Sequence, residues 1–256
     1  MMNVAENIER GAIDGCRDCV TAARDVAPHL NADMLEIAGG IAGFAGAGSP
    51  LSEATGLGVF ADATPNDVAH LTTFYLERGS APRITVSPLA ALTLTDALVR
   101  DGYRPVEYQN VLVREIAEAD GARDERIGIA SDHYEWGHAS AAGFMERKAE
   151  DDEALIGTII ARAATMIPLE ARVDGSIVAT AAMTVRGRIA GLHGASTLPF
   201  ARRRGWQNVL IRDRIARARE LGARYVYGLA NVGGGSERNF RRLGFNVLHT
   251  QTVWER

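Results

Sequence analysis

Pro199-Phe200-Ala201-Arg202-Arg203-Arg204-Gly205-Trp206-Gln207 is the stretch on which the fold turns. It stands between an apolar run with strand character, residues 189–198, and a run in which Leu210, Ile211, Ile215, Ala218 and Leu221 recur at helical spacing. The pattern predicts a strand that turns directly into a helix starting near Arg204. The first N–H groups of such a helix lack intrahelical acceptors and the helix dipole adds positive character there, so the turn is a ready anion site. Gly205 lets the backbone approach a ligand closely. Between 202 and 224 the chain carries Arg202, Arg203, Arg204, Arg212, Arg214, Arg217, Arg219 and Arg224 against only Asp213 and Glu220. The chain as a whole has a formal net charge of -4, so this basic segment is a local feature and points to a phosphate-bearing partner.

Working outward, residues 169–173 and 176–185 are separated by Asp174-Gly175, a strong two-residue hairpin signal. A second turn at Arg186-Gly187-Arg188 leads into 189–198. Downstream of the helix, a strand is expected over 225–229, then a short helix closing on Arg241-Arg242-Leu243-Gly244-Phe245, then a strand from 246. Gly244 reads as a helix C-cap. Gly233-Gly234-Gly235 reads as a flexible approach to that last helix, with Ser236 as its N-cap. The order of elements is helix, three antiparallel strands, helix, strand, helix, strand, an α/β or α+β layered sheet.

The N-terminal half echoes this order. Helical segments are expected over 4–13 and 17–26, strand-like pieces over 37–44 and 56–60, and a helix that places Pro65 in its first turn and Val68, Leu71 and Tyr75 on one face. Glu77-Arg78-Gly79, a strand over 84–86, a short helix, and Val99-Arg100-Asp101-Gly102-Tyr103 leading into Pro105-Val106-Glu107-Tyr108 match the later elements at nearly equal spacing. A duplication is therefore expected, with its boundary in the charged, aperiodic stretch 116–126 and domains at 1–118 and 119–256.

The second half resembles the GNAT acetyltransferases. These proteins carry [QR]-x-x-G-x-[GA] at a strand-to-helix turn, and Arg202 to Gln207 follow that pattern three residues after Pro199, except that Gln207 occupies the place of Gly or Ala. Ser196-Thr197-Leu198-Pro199 resembles the family's cofactor strand, and the segment ending in Leu243-Gly244-Phe245 resembles its later helix. The resemblance implies two tandem GNAT-like domains, each a mixed, mostly antiparallel twisted sheet flanked by helices, with a degenerate first copy that lacks the Arg-rich turn. It implies acetyl-CoA as acyl donor, held by Thr197, Leu198, Arg202, Arg203, Arg204, Gly205, Trp206, Gln207 and Asn239, with Gln207 adding a side-chain donor. Strand amides near Leu198 would polarise the thioester carbonyl, and the strand would bulge away from its neighbour. The acceptor implied is an amine of a small molecule or a protein, acetylated by direct transfer.

The family's general acid is a Tyr four residues before the Gly of Leu-Gly-Phe, and that position here is Phe240, which has no proton to give. His193 is the candidate base and Tyr227 a candidate stand-in acid. Asp132, His133, Glu135 and His138 lack the spacing of a metal site, so a pocket wall with Tyr134 and Trp136 as substrate-facing aromatics is expected and no metal. Lys148 is the only lysine, which excludes a P-loop, a protein kinase and a Schiff-base enzyme. Cys16 and Cys19 form a C-x-x-C with no second ligand pair. Charge and hydropathy lead us to expect no nucleic-acid partner, no membrane association and a cytoplasmic location; a monomer or homodimer is expected. A non-catalytic acyl-CoA-binding protein and a nucleotide-binding domain remain as alternatives.

Overall fold

The structure, a computed structural model, describes residues 4–256. These divide into two compact units, one ending at Asn110 and taking in Leu248–Arg256, the other formed by Val111–Val247.

The first unit opens with α1 (Val4–Val26), a single helix where the sequence predicted two. Buried residues occur on both sides of Gly15, Ile8 and Ile13 before it and Val20 and Ala23 after it. Burial of that continuous face outweighs the roughly 1 kcal/mol that a helical glycine costs. Next, β1 (Asp33–Ile37) and β2 (Gly40–Phe44) pair antiparallel. The expected single piece over 37–44 is thus a hairpin, because Ala38 and Gly39 both adopt left-handed backbone, with φ 48° and 72°. After β3 (Ala54–Thr55), Gly56 and Gly58 each take φ 73°, so 56–60 is a turn and not the expected strand.

α2 (Pro65–Leu76) starts with Pro65 in its first turn and is closed by a capping box: Asp67 N–H donates to Thr64 Oγ1 at 3.3 Å, and Thr64 N–H to Asp67 Oδ2 at 2.8 Å. β4 (Arg83–Val86) and α3 (Leu92–Arg100) follow. β5 (Arg104–Glu115) carries the chain across the boundary at Asn110.

The second unit contains β6 (Ile127–Ile129), α4 (His133–Met145), α5 (Asp151–Arg162), β7 (Ile167–Val173), β8 (Ser176–Arg186) and β9 (Ile189–Thr197), then α6 (Trp206–Glu220), β10 (Tyr225–Asn231) and α7 (Gly235–Arg242). The last strand, β11 (Asn246–Glu255), belongs to the first unit from Leu248 onward. The strands run β1-β2-β3-β4-β11 in the first unit and β10-β9-β8-β7-β6 in the second. The recorded registers are antiparallel except at β3–β4 and β9–β10. The protein is a mixed α/β fold with mostly antiparallel strands and seven α-helices among the described residues. At the β7–β8 hairpin, Asp174 and Gly175 both have positive φ (49° and 78°), the geometry their sequence predicted.

Helix caps of one kind occur in both halves. Ser80 N–H donates to Tyr75 O and Gly79 N–H to Leu76 O; Ala223 N–H donates to Ala218 O and Gly222 N–H to Arg219 O. The same paired bonds close α3 at Gly102 and Tyr103, and α7 at Gly244 and Phe245. Four helices, two in each half, end in the same glycine-dependent motif and lead into a strand. The expected N-cap of α7, Ser236, is not the cap: that position is Gly234, and Ser236 lies inside the helix.

Each unit has its own apolar core, around Leu71, Ile84, Leu94 and Leu98 in the first and around Leu169, Ala181, Leu210 and Val226 in the second. α4 and α5 cross at Gly137 and Gly157, where a Cβ on Gly137 would stand 2.6 Å from Ala154 O and 2.9 Å from Thr158 N. Backbone cannot yield as a side-chain tip does, so Gly137→Ala is expected to cost about 1–3 kcal/mol of unfolding free energy. Urea denaturation checks it, through a lower midpoint at unchanged m.

Candidate functional site

The site is built where two strands part. β9 pairs in parallel with β10 only from Ile189, opposite Tyr225, to Leu192, opposite Gly228. Beyond that point the β10-facing edge of β9 has no ladder partner. Two local features hold the strands apart. The Phe240 ring lies directly on Gly228, where an added Cβ would stand 2.4 Å from the ring. On the other side, Thr180 faces Ser196 while Ala182 faces His193, so β9 carries one extra residue against β8. This is a bulge, and Gly194 within it has φ 44°.

Arg214, on the sheet-facing side of α6, braces the bulge. Its side chain is 1% exposed. Nη1 donates to Ala182 O at 3.0 Å and to His193 O at 3.1 Å, the two residues that face one another across the bulge, and Nε donates to Leu210 O at 3.1 Å. Burial without a contacting carboxylate pulls its pKa down to about 9.

After Thr197 the chain makes a short 3₁₀ turn, Pro199–Ala201, and reaches α6 through Arg203 and Gly205, both with positive φ (62° and 81°). Gly205 is the N-cap, no side chain caps the helix, and the first intrahelical acceptor, Gly205 O, is taken by the amides of Asn208 and Val209. The amides of Trp206 and Gln207 therefore precede the ladder and carry the positive end of the helix dipole. Nothing stands within 4 Å of the Cβ direction at Gly205. These elements border a cleft of about 410 Å³, lined by Thr197, Arg202, Arg203, Gly205, Gln207 and Asn239 among others. Asn208 also lines it, and its buried side-chain oxygen has no partner among the described residues.

The side chains expected to bind the cofactor are not all free to do so. Arg202 donates to Gly143 O at 2.8 Å and to Thr197 O at 3.3 Å and pairs with Glu146 at 2.7 Å, so it ties the end of α4 to the end of β9. Gln207 Nε2 donates to Thr197 Oγ1 at 3.1 Å, so at least one of its donors is spent on the strand. The indole of Trp206 is in the core, which leaves its main-chain N–H for the cleft. Arg203 and Arg204 are exposed. The amide of Leu198, expected near the thioester, donates instead to Val178 O at 3.0 Å. The unladdered edge of β9 lies before it, at the bulge.

His193 lies over Gly191, where a Cβ would meet its ring at 2.4 Å. Its Nε2 is 2.9 Å from Thr184 Oγ1, and its ring meets the Tyr227 ring edge-on at 6.0 Å. Desolvation first, then the positive charges of Arg214 and Arg186, push its pKa down to about 4. It is neutral at pH 7, and a weak base. Tyr227 is buried beside it.

The aromatics expected to face substrate are separated. Tyr134 is exposed, with its hydroxyl donating to Asp151 at 3.0 Å. Trp136 is fully buried, its indole N–H donates to Leu169 O at 2.8 Å, and it packs with Ala130, Ala161 and Ala182. It is a core residue and not a wall of the cleft, because it points from α4 onto the sheet. Asp132 caps α4 through the amides of Tyr134 and Glu135, Glu135 pairs with Arg172, and His138 stands 3.3 Å from Asp151. These residues serve the helix and its neighbours. Cys16 and Cys19 sit on α1 with both thiols pushed up to about 12, chiefly by burial. Sequence reasoning missed Gly143 and Phe144, which line the cleft from α4; the signal was Gly143 itself, where a Cβ would stand 2.4 Å from Ser196 Oγ. No helix among the described residues is long and apolar enough to cross a membrane.

Solved structures share this fold. A GCN5-related N-acetyltransferase from Kribbella flavida superposes with a TM-score of 0.64 over 91% of this chain and 95% of its own, at 19% identity. The protein has the GNAT fold. A GCN5-related N-acetyltransferase from Sphaerobacter thermophilus (TM-score 0.52, 18% identity, 69% of this chain and 59% of its own) is also similar. So is a tandem GNAT protein from the clavulanic acid biosynthesis pathway (TM-score 0.55, 13% identity, 75% of this chain and 68% of its own). No protein-family model and no curated protein matches the sequence. Within this GNAT fold, the environment of His193 has a measurable consequence. A histidine whose folded pKa lies below its unfolded value contributes stability that is complete above about pH 6.5 and is lost as pH falls towards about 4. Melting temperatures of the wild type and of His193→Gln, followed across that window, are expected to converge on acidification, since the variant cannot take up that proton.

Proposed function

We propose that the second unit binds acetyl-CoA and transfers its acetyl group directly to an amine. The observation that carries this reading is the continuous path from the parted edge of β9, through the bulge, to the open N-terminus of α6. A diphosphate suits the amides of Trp206 and Gln207 beside Gly205, with Arg203 and Arg204 on the solvent side. The amide-bearing pantetheine arm suits the edge of β9 that β10 leaves unpaired. The thioester then lies near Gly194 and Ala195, where bulged main chain provides donors for a developing oxyanion.

Arg202, Thr197 and Asn239 shape this site: Arg202 and Thr197 hold the turn, and Asn239 lines both the cleft and a smaller slot bordered by His193, Arg214 and Phe240. An ammonium must lose its proton before it attacks, and a histidine with a pKa of about 4 is poorly matched to that task. We assign the deprotonation to solvent, and Tyr227 to packing against His193. The acceptor is a small-molecule or protein amine.

A non-catalytic acyl-CoA-binding role is the second reading, favoured by Phe240, which presents a hydrocarbon ring to the slot. It predicts CoA binding with no release of CoA thiol across a broad panel of amines. The main reading predicts thiol release with at least one of them.

Gly205→Glu tests the site itself. It places a negative side chain at the helix N-terminus, with open space around it. Calorimetric affinity for acetyl-CoA is expected to fall by about tenfold or more, while Gly205→Ala, which shares the backbone strain, retains most of it. Equal affinity in the wild type and Gly205→Glu contradicts the assignment.

A further inference from the structure

Beneath the cleft, at the apex where β9 and β10 part, lies a second cavity of about 70 Å³. It shares Ala195, Gln207 and Asn239 with the cleft, so a chain entering from the helix terminus reaches it past those side chains. Its wall includes His193, Gly194, Phe240 and Ser236, and the one cationic side chain on it is Arg214, which is charged at neutral pH. No group there is a competent acid: Phe240 has no acidic proton, His193 is neutral and engaged with Thr184, and the Ser236 hydroxyl is far too weak.

The charge on Arg214 is not needed for its bracing bonds, which any buried donor of the right reach makes to a carbonyl. Its burial without an ionic partner is costly. Asp213, its neighbour on α6, is committed to Arg217 at 2.5 Å and to the amide of Asp124 at 3.0 Å. The facing element β9 supplies neutral His193 and two carbonyl-bearing strands supply Ala182 O and His193 O. From α7 come Ser236, Asn239 and Phe240, all uncharged, while Arg186 on β8 adds further positive charge near His193. Arg214 is therefore the charged side chain of the slot's own lining, with Asp213 on α6 as the acid that acts on it.

Resting on the acyl-CoA reading above, we propose that the buried guanidinium of Arg214 is the counter-charge for the coenzyme A thiolate expelled in this slot. In the transfer, the amine nitrogen forms a bond to the acyl carbon and the C–S bond breaks, with its electron pair going to sulfur. The ammonium gives one proton to solvent before the attack and the adduct nitrogen gives a second after it, while the sulfur leaves as an anion and takes up a proton from water after release. An alkyl thiol ionises near pH 8.5, and an opposite charge within a few ångströms lowers such a value by about one to three units. The slot thus needs no side-chain acid.

The test is the thiol pKa of CoA bound to the intact protein, read from the ultraviolet absorbance of the thiolate, with the desulfo-CoA complex as blank. Cys16 and Cys19, held at about 12, stay silent in that range. Bound wild-type CoA is expected to titrate about one to three units below free CoA. Arg214→Gln, which keeps donors but not charge, should return it to the free value, and Arg214→Lys should keep it lowered. A bound thiol that titrates at or above the free value in the wild type overturns the proposal, even if neither variant folds. So does a lowered value that persists in Arg214→Gln. Absence of CoA binding by calorimetry instead fails the acyl-CoA reading, and this proposal with it.

Discussion

A parallel ladder that ends early, at Leu192 opposite Gly228, is the constraint on which the second unit depends. A longer ladder would close the sheet and leave no edge for a ligand. A shorter one would cost the inter-strand bonds that fix β10 at all. The length is set from both sides by close packing: Phe240 lies flat on Gly228, and the bulge on β9 turns the strand away. Because these contacts are backbone against ring and backbone against backbone, they are stiff, and the parted geometry exists before any ligand arrives.

The arginines of 202–224 divide by environment in a way that count and charge alone do not reveal. Arg214 and Arg217 are buried, Arg202 is held by two carbonyls and Glu146, Arg224 pairs with Glu115, and Arg203 and Arg204 face solvent. A locally basic segment thus becomes one structural tether, two interior braces and a solvent-facing pair beside the helix terminus. Main-chain amides, not a patch of guanidinium groups, are the donors that the turn concentrates.

Much of this fold was legible in the sequence where local chemistry is decisive. Asp174-Gly175 specified its hairpin, Pro65 its helix start, and Gly244 its cap, because each needs a backbone conformation that few residues accept; the same cap at Gly79, Gly102 and Gly222 emerged only from the structure. The strand-to-helix turn at Gly205 was read for the same reason. What failed depended on tertiary contact. Gly15 did not break α1, since the buried face continued through it; Trp136 left the expected cleft wall for the core; Leu198 gave its amide to Val178; and Arg214 carried no signal separating it from the other arginines. Periodicity places a residue on a face, but it does not say which carbonyls that face will meet.

The central claim is that the main chain entering α6 grips the diphosphate of an acyl-CoA. Amide NMR on the labelled protein during a CoA titration tests it most directly. The account predicts large shifts at the amides of Trp206 and Gln207, smaller ones at Gly194 and Ala195, and a first unit that stays unperturbed around β1 and β2. Unmoved resonances at Trp206 and Gln207 under saturating CoA, or shifts concentrated in the first unit, would contradict it.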